Sequence, residues 1–241
     1  WDDSILVGLF ESSADVTHIK NTIQTEFPKA GIFIKNVEDQ NWVALCQAKF
    51  PIQQYGKLYV CPSWEQKPNS PDAVCLNLDP GMAFGTGTHA TTSLCLTWLS
   101  ETNLKGKSLI DYGCGSGILA LATALLGAKP VLGVDYDEQA LVSSRANQAK
   151  NNLEGSVTFQ HSDKAINLKA DILIANILAG PLMSFKERFF DLLKEKGILV
   201  LSGILSEQKE ELIQHYVSHF HLVESSEKEG WCCLEFTKGL A

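Results

Sequence analysis

The amino-acid sequence predicts an α/β fold organised on a parallel sheet. Three observations carry this. From Val74 onward, strand-like apolar runs alternate with segments of helical periodicity, the rhythm of strand–helix–strand units. One of those runs ends at Asp111 and opens into a turn with glycine at Gly113, Gly115 and Gly117, directly before a helical stretch. The next run ends on an acid, Asp135. The 241 residues, 45% of them hydrophobic, suffice for a sizeable core in one large domain, or one plus a smaller one.

Ahead of Val74 the pattern is less regular. Residues 5–10 form an apolar run of strand length. Residues 15–27 carry Val16, Ile19, Ile23 and Phe27 at helical spacing, with Ser13 or Asp15 placed to cap the helix. Residues 31–37 are again strand-like, 42–50 amphipathic, and 57–61 a short strand. Pro62, Pro68 and Pro71, with polar residues between them, mark 63–72 as a linker. Beyond Val74 the pattern predicts a helix over 91–102, a strand over 108–111, a helix over 117–126 and a strand over 131–135. A helix over 138–151, strands over 157–161 and 171–176, a helix over 181–193, a strand over 198–203 and a helix over 207–220 follow. The chain closes on a hairpin, 221–225 and 231–237, turning at Glu229-Gly230. The division this implies is a front piece over 1–56, a linker over 57–73 and the α/β domain over 74–241. Because the chain starts at Trp1 and runs straight into an apolar stretch, the front piece is expected to be an incomplete α+β domain.

Composition narrows the function. The net charge is −8, from 20 basic and 28 acidic residues, and only Arg145 and Arg188 are arginines. Phosphates and guanine edges are best read by arginine forks, so direct nucleic-acid binding is not expected and a basic protein partner fits better. No apolar run approaches the roughly 20 residues that span a bilayer, so no membrane association is expected. Seven cysteines, an odd number with no CxxC pair, argue against a disulfide framework or a zinc ribbon and for reduced thiols in a cytoplasmic protein.

The chemistry centres on the glycine turn, Asp111-Tyr112-Gly113-Cys114-Gly115-Ser116-Gly117. Glycines let the backbone turn sharply and let a ligand approach with no Cβ in the way. The dinucleotide fingerprint needs G-x-G-x-x-G; here the third glycine comes one residue early and Ile118 stands where that fingerprint has glycine. A P-loop is excluded because no Gly-Lys-Ser/Thr follows. Asp135, at the tip of the second strand, is placed to grip a ribose diol. A ribose acid without a pyrophosphate loop points to a nucleoside ligand lacking a diphosphate. A third strand ends at Asn176, followed by Ile177-Leu178-Ala179-Gly180-Pro181. Asn176 there is either a ligand-facing side chain at the carboxyl edge of the sheet or a cap on the next turn. The segment Asp79-Pro80-Gly81-Met82-Ala83-Phe84-Gly85-Thr86-Gly87-Thr88-His89-Ala90-Thr91-Thr92 has the composition of a hydrogen-bonding loop able to fold over a ligand, with Phe84 excluding water.

The pattern D-x-G-x-G-x-G followed by a strand-end acid resembles class I S-adenosylmethionine-dependent methyltransferases. With the run from Asp79 to Thr92, the Asn176-to-Pro181 segment, Ser202-Gly203-Ile204-Leu205 and Trp231-Cys232, the chain is similar to the ribosomal protein methyltransferases that act on large-subunit protein eleven (PrmA). The resemblance implies a Rossmann-like fold with a seven-stranded, mostly parallel sheet and S-adenosyl-L-methionine as cofactor, released as S-adenosyl-L-homocysteine. It also implies a protein N-methyltransferase, monomeric, acting on lysine and N-terminal amines of that ribosomal protein. Residue by residue it places Phe84, Gly85, Thr86, Thr92, Asp111, Gly113, Gly115, Gly117, Asp135 and Asn176 at the cofactor, and Asn176 and Ile177 at the reacting amine, with no metal. The same pattern leaves open a methyltransferase for another protein or a small molecule, or a module that binds the cofactor without turnover.

Three weaker constellations remain. His215, His219 and His221 could form a metal edge, although no carboxylate or cysteine completes a set. Cys114 is either a reactive thiol at a helix N-terminus or a small side chain that fits. The acidic run 224–229 reads as a solvated turn, the other reading being a surface that meets a basic substrate.

Overall fold

In the computed structural model of this protein, residues 7–8, 10–11, 13–35, 50–79 and 87–239 are described. Contacts separate two units, Trp1–Trp42 and Val43–Ala241. In the first, α1 (Val16–Glu26) is capped by Asp15, whose carboxylate accepts from His18 N at 2.9 Å, and none of its residues is buried. The strand predicted over 31–37 is irregular through Lys35, with Phe33 exposed. A strand needs a partner to satisfy its backbone groups, and no strand pairs with this segment among the described residues. Residues 36–37, half of the run over 5–10 and residues 42–49 of the amphipathic stretch lie outside the described residues.

The second unit opens with a small sheet of β1 (Gln53–Tyr55), β2 (Leu58–Cys61) and β3 (Val74–Asn77). β1 and β2 pair antiparallel and β2 and β3 parallel. The span read as a linker, 57–73, therefore contains β2 and its connection to β3.

The main sheet has seven strands: β4 (Leu109–Tyr112), β5 (Val131–Asp135), β6 (Val157–His161), β7 (Ala170–Asn176), β8 (Leu193–Leu205), β9 (Phe220–Lys228) and β10 (Trp231–Lys238). Their spatial order is β6-β5-β4-β7-β8-β10-β9. Numbered from β4 as the first, this is 3-2-1-4-5-7-6. β10 runs antiparallel to both its neighbours, β8 and β9, and the remaining pairs are parallel. β4 and β5 are buried along their whole length, which is why, apart from Asp111 and Asp135, they read as apolar runs instead of alternating ones.

Helices cover both faces. On one, α2 (Ala90–Glu101), α3 (Ile118–Leu125) and α4 (Glu138–Lys150) contribute Leu96, Leu99, Leu121 and Leu141 to a core with Leu109, Ile172 and Val200. On the other, α5 (Ala179–Ser184), α6 (Lys186–Leu192) and α7 (Lys209–Tyr216) bring Leu182, Phe189, Leu212 and Tyr216 against Ile110, Leu173 and Leu201.

The strands predicted over 131–135 and 157–161 match in full, most other boundaries in this unit's main sheet and helices shift by a residue, and four differences are larger. The helix predicted over 181–193 is two helices, α5 and α6, interrupted at Phe185, whose ring packs on Tyr112 with centroids 5.1 Å apart. β8 begins at Leu193, not 198: Leu193 already pairs with Ala170, and residues 194–197 loop out, with Lys196 at φ +59, before Ile198 pairs with Ile172. The helix predicted over 207–220 starts as a short 3-10 turn, Ser206–Gln208, and ends at Tyr216, so that Phe220 can open β9 as a buried strand residue. The acidic run over 224–228 is strand, paired with β10 as far as Lys228 opposite Trp231, and the turn is only Glu229-Gly230. Charges on both faces are how an exposed edge strand resists pairing with other chains, and they hid this one from a reading based on alternation.

Candidate active site

The sheet order reverses between β4 and β7: from β4 the chain runs outward through β5 and β6, then crosses back to β7 on the other side. In open α/β sheets ligands bind at the carboxyl ends of the strands flanking such a switch point. The described candidates gather there. Asp111 and the three glycines lie at and beyond the end of β4, Asp135 at the end of β5, and Asn176 and Ile177 at and beyond the end of β7. Thr92 stands in the first turn of α2. Phe84, Gly85 and Thr86 lie outside the described residues.

The turn after β4 depends on its glycines. Gly113, Gly115 and Gly117 have φ of +84, +52 and +81, a region costly for side-chain-bearing residues. The amides of Gly113 and Cys114 both donate to Val134 O, at 2.7 and 3.0 Å, which ties the turn to β5. Asp135 completes the tie. Its Oδ2 accepts from Gly115 N at 2.8 Å and its Oδ1 from Asp137 N at 3.0 Å. A carboxylate has about four lone-pair sites, so each oxygen keeps capacity for a further donor.

Asp111 lies beneath the turn and is 1% exposed. Its Oδ2 accepts from Ala120 N in the first turn of α3 at 3.0 Å, where the helix dipole favours negative charge. Its Oδ1 is buried and without a partner. Burial pushes its carboxyl up to about 7; the Ala120 N–H works against that shift and the neighbouring Asp135 charge adds to it. The Cys114 thiol is pushed up as well, by burial and then by Asp111 and Asp135. A thiol so held stays protonated, so Cys114 is a small buried side chain that fits.

Asn176 does not cap the following helix: α5 takes Leu178 as its N-cap, with no side-chain cap bond. Its Nδ2 instead donates to Thr92 Oγ1 at 3.3 Å, and its Oδ1 is buried without a partner. Thr92 thus holds the amide so that its acceptor end stays open. His89 caps α2, its Nδ1 accepting from Thr91 N at 3.3 Å, and its ring meets the Trp231 ring with centroids 4.9 Å apart. His219 pairs with Glu187 at 3.1 Å, and His215 packs on Tyr216. No cluster of three metal-ligating side chains occurs among the described residues.

Two features at this edge were not assigned from the sequence. Tyr136, next to Asp135, is 80% exposed; its position directly after a strand-end acid was the available signal. Gly203, near the end of β8, presses on the Ile177 peptide. That closeness joins strands distant in sequence, so no local pattern announces it.

A glycine turn at the first strand, an acid at the tip of the second and a sheet ordered 3-2-1-4-5-7-6 with one antiparallel strand define a Rossmann-like class I methyltransferase. The family model described as "Ribosomal protein L11 methyltransferase (PrmA)" matches residues 1–239, and the chain belongs to that family. It is 45% identical over 238 residues to the ribosomal protein L11 methyltransferase of Legionella pneumophila (strain Corby), covering 98% of this chain and 82% of the relative. Against the enzyme of the same name from Tolumonas auensis the identity is 42% over 241 residues, with 99% and 82% covered. Among solved structures, the ribosomal protein L11 methylase from Lactobacillus delbrueckii subsp. bulgaricus superposes with a TM-score of 0.69 at 29% identity, over 78% of this chain and 98% of that one. No helix among the described residues is long and apolar enough to cross a membrane.

Proposed function

We propose that this protein binds S-adenosyl-L-methionine across the carboxyl ends of β4, β5 and β7 and methylates lysine and N-terminal amines of ribosomal protein L11. The observation that carries this reading is the pair of buried, unpartnered oxygens, Asp111 Oδ1 and Asn176 Oδ1, on the two sides of the switch point. A buried acceptor left without a donor costs about 1–3 kcal/mol, and such atoms are rare unless a ligand completes them. Both want N–H donors, and a cofactor with an ammonium group and a substrate with an amine supply them. Asp111 would hold the ammonium of the methionine end and Asn176 the acceptor nitrogen. Asp135 would hold the ribose hydroxyls, with Tyr136 offering its exposed ring to the base. Gly115 lets the turn come close to the ligand, while Gly113 and Gly117 give their side-chain space to Ile177 and to Phe159 and Ser144; family resemblance supports Phe84, Gly85 and Thr86 as the ligand's cover.

When bound, the cofactor supplies a methyl group made electrophilic by its sulfonium. The residues of this chain prepare the nucleophile. At pH 7 a free lysine amine costs about 4.6 kcal/mol and a free α-amine about 1.4 kcal/mol, from reference pKa values near 10.4 and 8. Asn176, through Oδ1 and its backbone carbonyl, accepts the amine's N–H groups and aims its lone pair. Such alignment is worth several kcal/mol, and Ile177 fixes the segment that provides it. The proton leaves to bulk water. Residues 1–56 are assigned to recognition of the protein substrate, and the net charge of −8 suits a basic ribosomal protein in the cytoplasm.

Asn176→Ala tests the assignment. It should lower kcat on L11 by about 100-fold, in line with the loss of an orienting group, a larger effect than any loss of cofactor affinity seen by calorimetry. An unchanged kcat would remove Asn176 from the acceptor site.

A further inference from the structure

Ile177 is gripped from two sides by backbone that carries no side chain. Its Cγ2 lies so close over Gly113 that a Cβ there would fall within 3.0 Å of it. Its peptide lies against Gly203. A Cβ on Gly203 would run into the Ile177 carbonyl oxygen and would stand 2.7 Å from the carbonyl carbon and 3.1 Å from the nitrogen. Both glycines are in the left-handed region, at φ +84 and +86.

The two jaws are anchored in the sheet. Gly113 N donates to Val134 O at 2.7 Å. Ser202, just before Gly203, pairs with Asn176 across β7 and β8, and its hydroxyl donates to Cys232 O on β10 at 2.8 Å. The segment between the jaws has one end in solvent, with Leu178 68% exposed. Beyond the ladder that holds Asn176 opposite Ser202, the segment is seated by the fit of Ile177 between Gly113 and Gly203 and by its packing on the core beneath, while Thr92 holds the Asn176 amide.

We propose that Gly113 and Gly203 form a two-sided notch for Ile177 that sets the Asn176 carboxamide at the height required for methyl transfer, making Gly203 a positioning residue for the acceptor nitrogen. The proposal rests on the reading of Asn176 as the group that holds that nitrogen. A side chain at Gly203 meets peptide atoms, which no rotamer change can move aside. Relief requires a backbone shift of about 1 Å, and a misplacement of that size near reacting atoms costs about 100-fold in rate.

The test uses the full chain, S-adenosyl-L-methionine labelled in the methyl group and ribosomal protein L11, with cofactor affinity measured by calorimetry. Gly203→Ala should lower kcat by about 100-fold with a cofactor Kd within about 3-fold of wild type, a split that a merely structural role would not give. Ile177→Ala only deletes atoms, so it keeps the fold accessible if Gly203→Ala does not fold; it should lower kcat by about 10-fold through the loosened notch, with cofactor Kd unchanged. Wild-type kcat in Ile177→Ala, or in a folded Gly203→Ala, overturns the notch. If Asn176→Ala is then inactive, the acceptor reading stands without the notch. If Asn176→Ala also turns over at the wild-type rate, both fall.

Discussion

At Asp111, folding and the proposed cofactor make opposite demands. Burial holds its carboxyl at about 7, well above the 3.8 of an exposed aspartate, and the Asp135 charge adds to the shift against the Ala120 N–H. The folded state thus binds the proton more tightly than the unfolded one. The stability this contributes is present in full below about pH 4 and is lost as pH rises toward 7, at up to about 1.4 kcal/mol per pH unit. Asp111→Asn removes that dependence, so its stability relative to wild type should rise between pH 5 and 7 in denaturant titrations. An ammonium bound at Oδ1 favours the ionised form, so wild-type affinity for the cofactor should increase over the same interval and that of Asp111→Asn should stay flat. Equal slopes for the two proteins would take the carboxyl out of the cofactor site. Asp135→Ala should weaken cofactor binding by about 1–3 kcal/mol; an unchanged calorimetric affinity would separate Asp135 from the ribose. The positions of Asp111, Asp135 and Asn176 were legible in the sequence because each ends an apolar run. Gly203 was not, because its importance lies in a contact with a residue on another strand.

Among the elements, the interior strands were the most legible. Burial on both faces makes β4, β5 and β7 nearly continuous apolar runs, bounded by glycine, proline or acid. The elements misjudged were set by contacts that periodicity does not encode. The break between α5 and α6 follows the Phe185 ring, which packs against Tyr112 and Phe189 at 5.1 and 5.7 Å. The full length of β9 is hidden by the charges of an edge strand. α5 and α7 are joined by one buried bond: the Tyr216 hydroxyl, in a fully buried side chain, donates to Leu182 O at 2.7 Å. Tyr216→Phe should therefore cost about 1–2 kcal/mol in urea unfolding and leave cofactor affinity unchanged. A loss of cofactor affinity would mean that the helix layer, and not only its stability, is coupled to the site.

For the whole molecule, the alternation of strand and helix was enough to predict an α/β fold with a parallel sheet. It could not give the strand order. The last hairpin inserts β10 between β8 and β9, a choice settled by which strand buries Cys232, Leu234 and Phe236, not by local pattern. Family membership over residues 1–239 and the two unpartnered oxygens at the switch point converge on methyl transfer to an amine. The most direct test is to incubate the protein with ribosomal protein L11 and methyl-labelled S-adenosyl-L-methionine, then map the label on L11 by mass spectrometry. The predicted result is label on lysine side chains or the N-terminal amine of L11, lost in Asn176→Ala. An L11 without label, from a protein that binds the cofactor, would contradict the account.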